Sequence, residues 1–488
     1  VRIGPPPAAA PPPARGRSGR RTALIVVAAL IVVAALVVVT GAGAGVVYLV
    51  PGLSNKLGLT HAEAQVAIAP PAAPVRFDPA LKAPGVQGPA PTAAGVQGAL
   101  AGPVANPALG MLTGTVLDPL TGEVLWQQGA NTALVPASTG KLLTAAAALL
   151  SLGHTEQFST KVVAGKDPGS VVIVGGGDPT LSSLKAGAES VYPGAAHLSD
   201  LVAQVKAAGP VQTVYVDLGR YAGNGLEPSW SPADVPGGFI APIVPVMLDG
   251  GRADATKETS PRSQTPARAL AEEFARRIGA KVPAEATTTA PSGAKVLGEV
   301  RSAPVAELVD NLLQLSDNVL AEAVAREVAK HNGEEASFAG ASKAMVKVLR
   351  DNGFDVTGLA MSDASGLSGQ DTVPASLLAS ILAVAAGPDG KDPRTAKLRP
   401  LLGGLPVAGG SGTLETRYNT AATAPGRGWV RAKTGTLGTP PVNSLAGVVL
   451  DADGRLMVFA FMTNGSVSTT ARPALDAIAA ALRQCGCR

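Results

Sequence analysis

The chain of 488 residues has little of what many hydrolytic sites are built from. Its two cysteines, Cys485 and Cys487, lie at the extreme C-terminus. Two are too few for a disulfide framework or a zinc site, and an inert tail pair is the simplest reading. The four histidines, His61, His154, His197 and His331, are scattered, and none stands beside a carboxylate in a metal or triad spacing. Histidine-based and zinc-based hydrolysis are therefore disfavoured, and no cofactor is expected. The net charge is only +4, with no Lys/Arg cluster outside the N-terminus. That argues against a nucleic-acid partner. Aromatics make up 3% of the chain, whereas Gly and Pro are abundant. The length allows two or three domains and a full core.

What is present begins with an N-terminal signal. Residues 1–22 are Pro/Ala-rich and carry Arg15, Arg17, Arg20 and Arg21. Ala23 to Val50 contains no charge and is dominated by Val, Ala and Leu. A helix of that length exceeds the roughly 30 Å of a bilayer core. Basic residues before it, and none after it until Lys56, put the N-terminus in the cytoplasm. An uncleaved single-pass anchor at 23–50 is expected, with cleavage near Ala62-Glu63-Ala64 as the alternative. Residues 51–108 read as a Pro/Ala/Gly-rich linker, with Gly-Val-Gln-Gly at both 85–88 and 95–98.

The folded unit starts near Met111. Leu112–Leu117 and Glu123–Gln127 are strand-like around a Pro/Gly turn. Gly428–Gly435, Leu445–Leu450 and Leu456–Thr463 are strand-like near the other end, followed by an amphipathic helix over 471–483. This order predicts an antiparallel sheet built from both chain ends, with helices on its faces. Residues 161–299 mix short strands, turns and two helical patches, and read as an inserted domain that brings no catalytic side chain. Residues 304–350 are strongly helical.

Three motifs carry chemistry. Pro136–Leu150 reads Pro-Ala-Ser-Thr-Gly-Lys before an Ala/Leu run with the composition of a buried helix. Ser138 falls in its first turn, and Lys141 lies three residues on, on the same face. A hydroxyl beside an amine neutralised by burial is what a serine nucleophile needs. Ser-x-x-Lys also occurs at Ser182–Lys185 and Ser292–Lys295, but only the first precedes a long apolar helix. Ser316-Asp317-Asn318 occurs once, in an apolar helical region. Lys433-Thr434-Gly435-Thr436 occurs once, on a strand, where a glycine marks close approach of another backbone, here a substrate along the strand edge.

In this order the three motifs are similar to the signature of penicillin-binding proteins and serine β-lactamases. The long interval between Ser138 and Ser316 resembles the class C low-molecular-mass penicillin-binding proteins, the D-alanyl-D-alanine carboxypeptidase/endopeptidase family. Gly175-Gly176-Gly177-Asp178-Pro179-Thr180-Leu181, Ala321-Glu322, Asp363-Ala364-Ser365-Gly366-Leu367-Ser368 and Gly412-Thr413-Leu414 with Arg417 also resemble it. Ala364, where that family usually has Gly, and Pro440-Pro441 after the strand depart from it.

The resemblance implies an α+β fold of the penicillin-binding-protein/serine β-lactamase type. It would have an antiparallel five-stranded sheet flanked by helices, an all-helical subdomain and an inserted α/β domain. A transpeptidase-like domain would then occupy 109–160 and 300–488. The implied activity is a serine-type D-alanyl-D-alanine carboxypeptidase, with DD-endopeptidase activity as an option, acting on peptidoglycan stem peptides. β-Lactams would be covalent inhibitors, and the catalytic domain would lie on the cell-wall side of the membrane. Ser138 would attack, Lys141 would take its proton, and Ser316 and Lys433 would pass a proton to the leaving D-alanine. Backbone N–H groups of Ser138 and Thr436 would form the oxyanion hole. Lys433, Thr434, Gly435 and Thr436 would hold the terminal carboxylate, with Lys433 supplying positive charge, and Asn318 would bind the stem-peptide backbone. A serine β-lactamase or a catalytically weak penicillin-binding wall scaffold are the alternatives. The first must deacylate quickly. The second would be expected to lose a motif residue, and none is lost here.

Overall fold

The computed structural model describes residues 88–488. The expected cytoplasmic tail, the anchor at 23–50 and the linker up to residue 87 lie outside the described residues. Among the described residues, no helix is long and apolar enough to cross a membrane.

Five strands from the two chain ends form one sheet. They are β1 (Met111–Leu117), β2 (Val124–Gln128), β9 (Val430–Leu437), β10 (Val442–Leu450) and β11 (Leu456–Asn464), in the order β2-β1-β11-β10-β9. All pairings are antiparallel. The apolar runs of β10 and β11 are nearly continuous because both faces are covered. Leu445, Val449, Met457, Phe459 and Phe461 point to one core. Ala446, Val448, Val458, Ala460 and Met462 point to the other. The period of two that separates these sets is the geometry of the strand itself. Between β2 and β9, two short strands, β3 (Ala133–Leu134) and β8 (Val373–Pro374), pair beside the sheet.

The first core is closed by the terminal helices α1 (Ala93–Val104) and α11 (Ser468–Gln484). Helix α1 corrects the expected linker, whose last stretch is ordered. Thr92 caps the helix by accepting from Gly95 N (3.0 Å), and Val96 and Leu100 are fully buried. The Gly/Ala composition suggested a flexible segment, but burial of these two side chains overrides weak propensity. The C-terminal tail is docked as well. Cys485 and Cys487 are joined as a disulfide and buried, and Thr92 N donates to Cys487 O (2.5 Å).

The second core is helical. It collects α2 (Lys141–Ser151), α5 (Val305–Gln314), α6 (Asn318–His331), α7 (Phe338–Asp351) and α8 (Ala375–Ala386), with the short α9 (Pro393–Leu398) and α10 (Pro400–Gly403). Every residue of α2 from Lys141 to Leu150 is buried.

A four-stranded sheet, β6-β5-β4-β7, lies between α2 and α5 in the chain. It is formed by β4 (Ser159–Ala164), β5 (Ser170–Gly175), β6 (Thr213–Asp217) and β7 (Val296–Arg301). The β5–β6 pair is parallel and is joined by a crossover that contains α3 (Leu198–Ala208). Helices α3 and α4 (Pro266–Ile278) complete an apolar cluster on this sheet. The insert is therefore α/β in character.

Candidate active site

Ser138 lies in a 3₁₀ turn, Ala137–Gly140, that runs directly into α2. The tighter turn matters because side chains three residues apart eclipse in a 3₁₀ helix. Lys141 Nζ consequently donates to Ser138 Oγ at 3.0 Å. Ser138 is only partly buried, whereas Lys141 is completely buried.

The turn is set by its surroundings. Ala137 has φ 49°, a left-handed conformation that a side-chain-bearing residue adopts only under constraint. Two glycines make room for it. A Cβ on Gly366 would lie 2.0 Å from Ala137 O, and one on Gly435 would lie 2.6 Å from Pro136 O. Pro136 O also accepts from Thr139 Oγ1 (2.7 Å) and Ser444 Oγ (2.6 Å), which ties the turn to β10. The glycine of the Lys-Thr-Gly strand was expected to admit a substrate backbone. Its bare side admits the chain's own Ser138 turn.

The amine of Lys141 has two further acceptors, Asn318 Oδ1 (2.5 Å) and Ser365 O (2.6 Å). All three partners are neutral, and among the described residues Lys141 forms no salt bridge. Burial pushes the amine down from its ordinary 10.5 to about 8, against the pull of Asp363, Asp317, Glu322 and Asp371. About one lysine in ten is then neutral at pH 7.

Ser316-Asp317-Asn318 bridges α5 and α6. Ser316 is partly buried with φ 57°, a second left-handed residue at the site. Asp317 caps α6, accepting from Leu320 N (2.9 Å). Asn318, expected to bind the stem-peptide backbone, has two partners within the chain. Its Oδ1 accepts from Lys141, and its Nδ2 donates to Phe239 O (2.9 Å). Asn318 thereby ties the Lys141 amine to the backbone of Phe239.

Strand β9 is the edge of the sheet. Its first half is covered by the segment before it, where Ala432 N donates to Pro406 O (2.9 Å) and Ala408 N donates to Val430 O (2.9 Å). Lys433–Thr436 continues past that cover beside the Ser138 turn. Thr434 Oγ1 meets Thr413 Oγ1 at 2.8 Å, so the Gly-Thr-Leu motif buttresses the strand. Thr436 is exposed. Lys433 is fully buried and donates to Thr434 O (2.9 Å). Burial, with Lys141 and Arg417 nearby, pushes its amine well below the ordinary value. The expected standing positive charge is thus disfavoured in the site as it stands.

The partners and roles of several motif carboxylates escaped the sequence reading. Asp363 is the hub of the loop that presents Ser365 O. Its carboxylate accepts from Ser365 N (2.9 Å), Gly366 N (2.6 Å), Ser368 N (2.7 Å) and Trp230 Nε1 (2.7 Å). Glu322 accepts from Ala364 N (2.9 Å), and burial raises its carboxyl to about 8. Asp317 accepts from Arg252 (2.5 Å), Arg262 (3.1 Å) and Tyr192 (3.0 Å). Trp230, Arg252, Arg262, Tyr192 and Phe239 all belong to the insert. The insert, expected to bring no catalytic side chain, thus supplies partners to Asp317, Asn318 and Asp363. Buried carboxylates need partners, and the insert brings them.

Ser138, Lys141, Asn318, Lys433, Thr434, Gly435 and Thr436 thus gather about one partly open hydroxyl, and Ser316 lies on the adjoining α5–α6 bridge. Ser182, of the second Ser-x-x-Lys, is buried within the insert. Comparison with known proteins shows the family. The D-Ala-D-Ala carboxypeptidase 3 (S13) family matches residues 96–261 and 252–484. The chain is 44% identical over 434 residues to carboxypeptidase DacB of Mycolicibacterium smegmatis, covering 88% of this chain and 92% of that protein. It is 46% identical over 401 residues to carboxypeptidase Rv3627c of Mycobacterium tuberculosis, covering 81% and 85%. Its fold is similar to penicillin binding protein 4 (dacB) of Haemophilus influenzae, with a TM-score of 0.63 at 21% identity over 79% of this chain and 97% of that one. A chain with these motifs, this fold and these matches belongs to the D-Ala-D-Ala carboxypeptidase 3 (S13) family.

Proposed function

We propose that the protein is a serine D-alanyl-D-alanine carboxypeptidase that trims peptidoglycan stem peptides through a Ser138 acyl-enzyme. The observation that carries this reading is the 3.0 Å contact between Ser138 Oγ and the fully buried Lys141 amine, which has only neutral hydrogen-bond partners.

Neutral Lys141 accepts the hydroxyl proton as Ser138 Oγ attacks the carbonyl carbon of the penultimate D-alanine. The tetrahedral oxyanion forms between the Ser138 turn and β9, where the N–H groups of Ser138 and Thr436 are the donors expected to stabilise it. Collapse breaks the peptide bond. The leaving amine of D-alanine takes a proton that Lys141 releases, with Ser316 and Lys433 as the relay. Water then attacks the ester and frees Ser138. The terminal carboxylate lies along Lys433–Thr436. Its negative charge favours the protonated form of Lys433 and works against the burial that disfavours it.

A β-lactam resembles the same acyl terminus and would open on the same hydroxyl. A bridged peptide whose acyl half presents the same D-alanine would extend the activity to endopeptidase cleavage. The apolar run Ala23–Val50 and the arginines before it support a single-pass anchor, with the folded unit on the cell-wall side. Added protease should degrade the folded unit in intact spheroplasts. Protection that is lost only on lysis would refute that topology.

The test of the activity is D-alanine release from a stem-peptide mimic. Wild type should release it and Ser138→Ala should not. Release that survives in a folded Ser138→Ala protein would refute the assignment.

A further inference from the structure

Two of the three acceptors around the Lys141 amine are held in place from the insert. Asn318 Oδ1 can face Lys141 only because its Nδ2 is fixed on Phe239 O at 2.9 Å. Asn318 opens α6, and the cap before it, Asp317, is gripped by Arg252 and Arg262 with both side chains almost wholly buried. Tyr192 adds a third donor at 3.0 Å, and burial with Asp317 alongside pushes its hydroxyl up to about 12, so it remains a donor. The arginines are anchored in turn. Arg262 Nε donates to Gly238 O (3.1 Å) and Arg252 Nε to Glu258 O (3.2 Å). The other acceptor, Ser365 O, is carried by the loop wound on Asp363, to which Trp230 donates at 2.7 Å. Trp230, Val235, Ile240, Ala241, Ile243 and Met247 pack with Val319 of α6 in one apolar cluster, which fastens the insert beside Asn318.

We infer that the insert segment 230–262 is a positioning element for the base, with Arg252, Arg262 and Trp230 setting the place and the electrostatic surroundings of Lys141. The inference rests on the reading of Ser138 and Lys141 as nucleophile and base. The titratable groups around the amine are Asp363, Asp317, Glu322, Asp371 and Lys433. Among the carboxyls, Asp317 is the one neutralised from the insert. Removing an arginine leaves its negative charge less compensated and favours protonated Lys141. Removing the carboxylate does the reverse.

The experiment is the pH dependence of penicillin acylation, measured on the full chain for wild type and variants. Arg262→Gln should move the midpoint toward alkaline pH, and Asp317→Asn should move it toward acid, each by about half a pH unit or more. Both should slow the plateau about 10-fold to 100-fold, because displacement of a positioned group is costly. Arg262→Lys should keep the wild-type midpoint and recover part of the rate. Trp230→Phe preserves the ring, removes one N–H donor and should slow acylation about threefold or more. It serves as the second probe where Arg262→Gln does not fold. Arg268→Ala, on the exposed face of the insert, should match wild type.

Midpoint shifts of the same sign in Arg262→Gln and Asp317→Asn would mark general damage and overturn the inference. So would folded Arg262→Gln, Asp317→Asn and Trp230→Phe proteins with midpoints and plateaus within about twofold of wild type. Wild type that never acylates at Ser138 would instead sink the catalytic pair itself.

Discussion

Lys141 and Asp317 are both buried charges, and they are treated in opposite ways. Lys141 meets a hydroxyl, an amide oxygen and a carbonyl, all neutral. Burial therefore prevails, and its amine falls to about 8. Asp317 meets two guanidiniums, a phenol and a helix N–H. Burial would raise its carboxyl, but Arg262 and Arg252 outweigh burial and hold it far below the ordinary range. One group is left free to titrate and the other is prevented from doing so. Burial is common to both, so the charge of the partners decides which residue can titrate and which is held ionised.

The contrast can be broken first at its reactive end. Lys141→Ala should slow acylation about 10²-fold to 10⁴-fold, the usual contribution of a general base. Lys141→Arg should not restore it, because a guanidinium keeps its proton. In wild type the acylation rate should rise with pH through a midpoint near 8, since the neutral amine is the active form. A flat profile from pH 6 to 9 would remove Lys141 as base.

At the structural end, Asp317→Asn leaves two arginines buried without an anion and should cost about 3–5 kcal/mol of unfolding free energy. The folded carboxyl lies below its unfolded value, so its contribution is fully present above the ordinary aspartate range. It is lost only as pH falls toward the folded value. The stability gap between wild type and Asp317→Asn should therefore be constant from neutral pH down to about 5 and narrow only in stronger acid, below about 4. Denaturant titrations across that range measure it.

Smaller effects mark the limits of the comparison. Gly435→Ala places a methyl against Pro136 O and Ser444 Oγ and should cost about 1–3 kcal/mol, with slower acylation because the Ser138 turn must shift. The exposed pair Arg268–Glu272 should contribute about 0.3–0.5 kcal/mol when tested by a double-mutant cycle.

The same contrast explains what the sequence made legible. Ser138 and Lys141 are three residues apart on one turn, so local geometry joins them and spacing reveals them. The central sheet was readable because β10 and β11 are long apolar runs and its strands are bounded by turns. The partners of Asp317 were not readable. Arg252 and Arg262 lie 65 and 55 residues away and reach it only through the folded insert. Ser365 O and Phe239 O are backbone acceptors, which carry no side-chain signature at all. Asp363-Ala364-Ser365-Gly366 was visible as a family motif, but its use of one carboxylate to fold a loop beneath the lysine was not. The linker reading failed at α1 because two buried side chains, Val96 and Leu100, outweighed a composition typical of flexible chain.

The central claim is that Ser138, poised by Lys141, is the nucleophile. Intact-protein mass spectrometry after penicillin treatment tests it most directly. The account predicts one stoichiometric adduct, mapped to Ser138 and absent from Ser138→Ala. An adduct on Ser182, Ser292 or any other serine, or one that persists in Ser138→Ala, would contradict it.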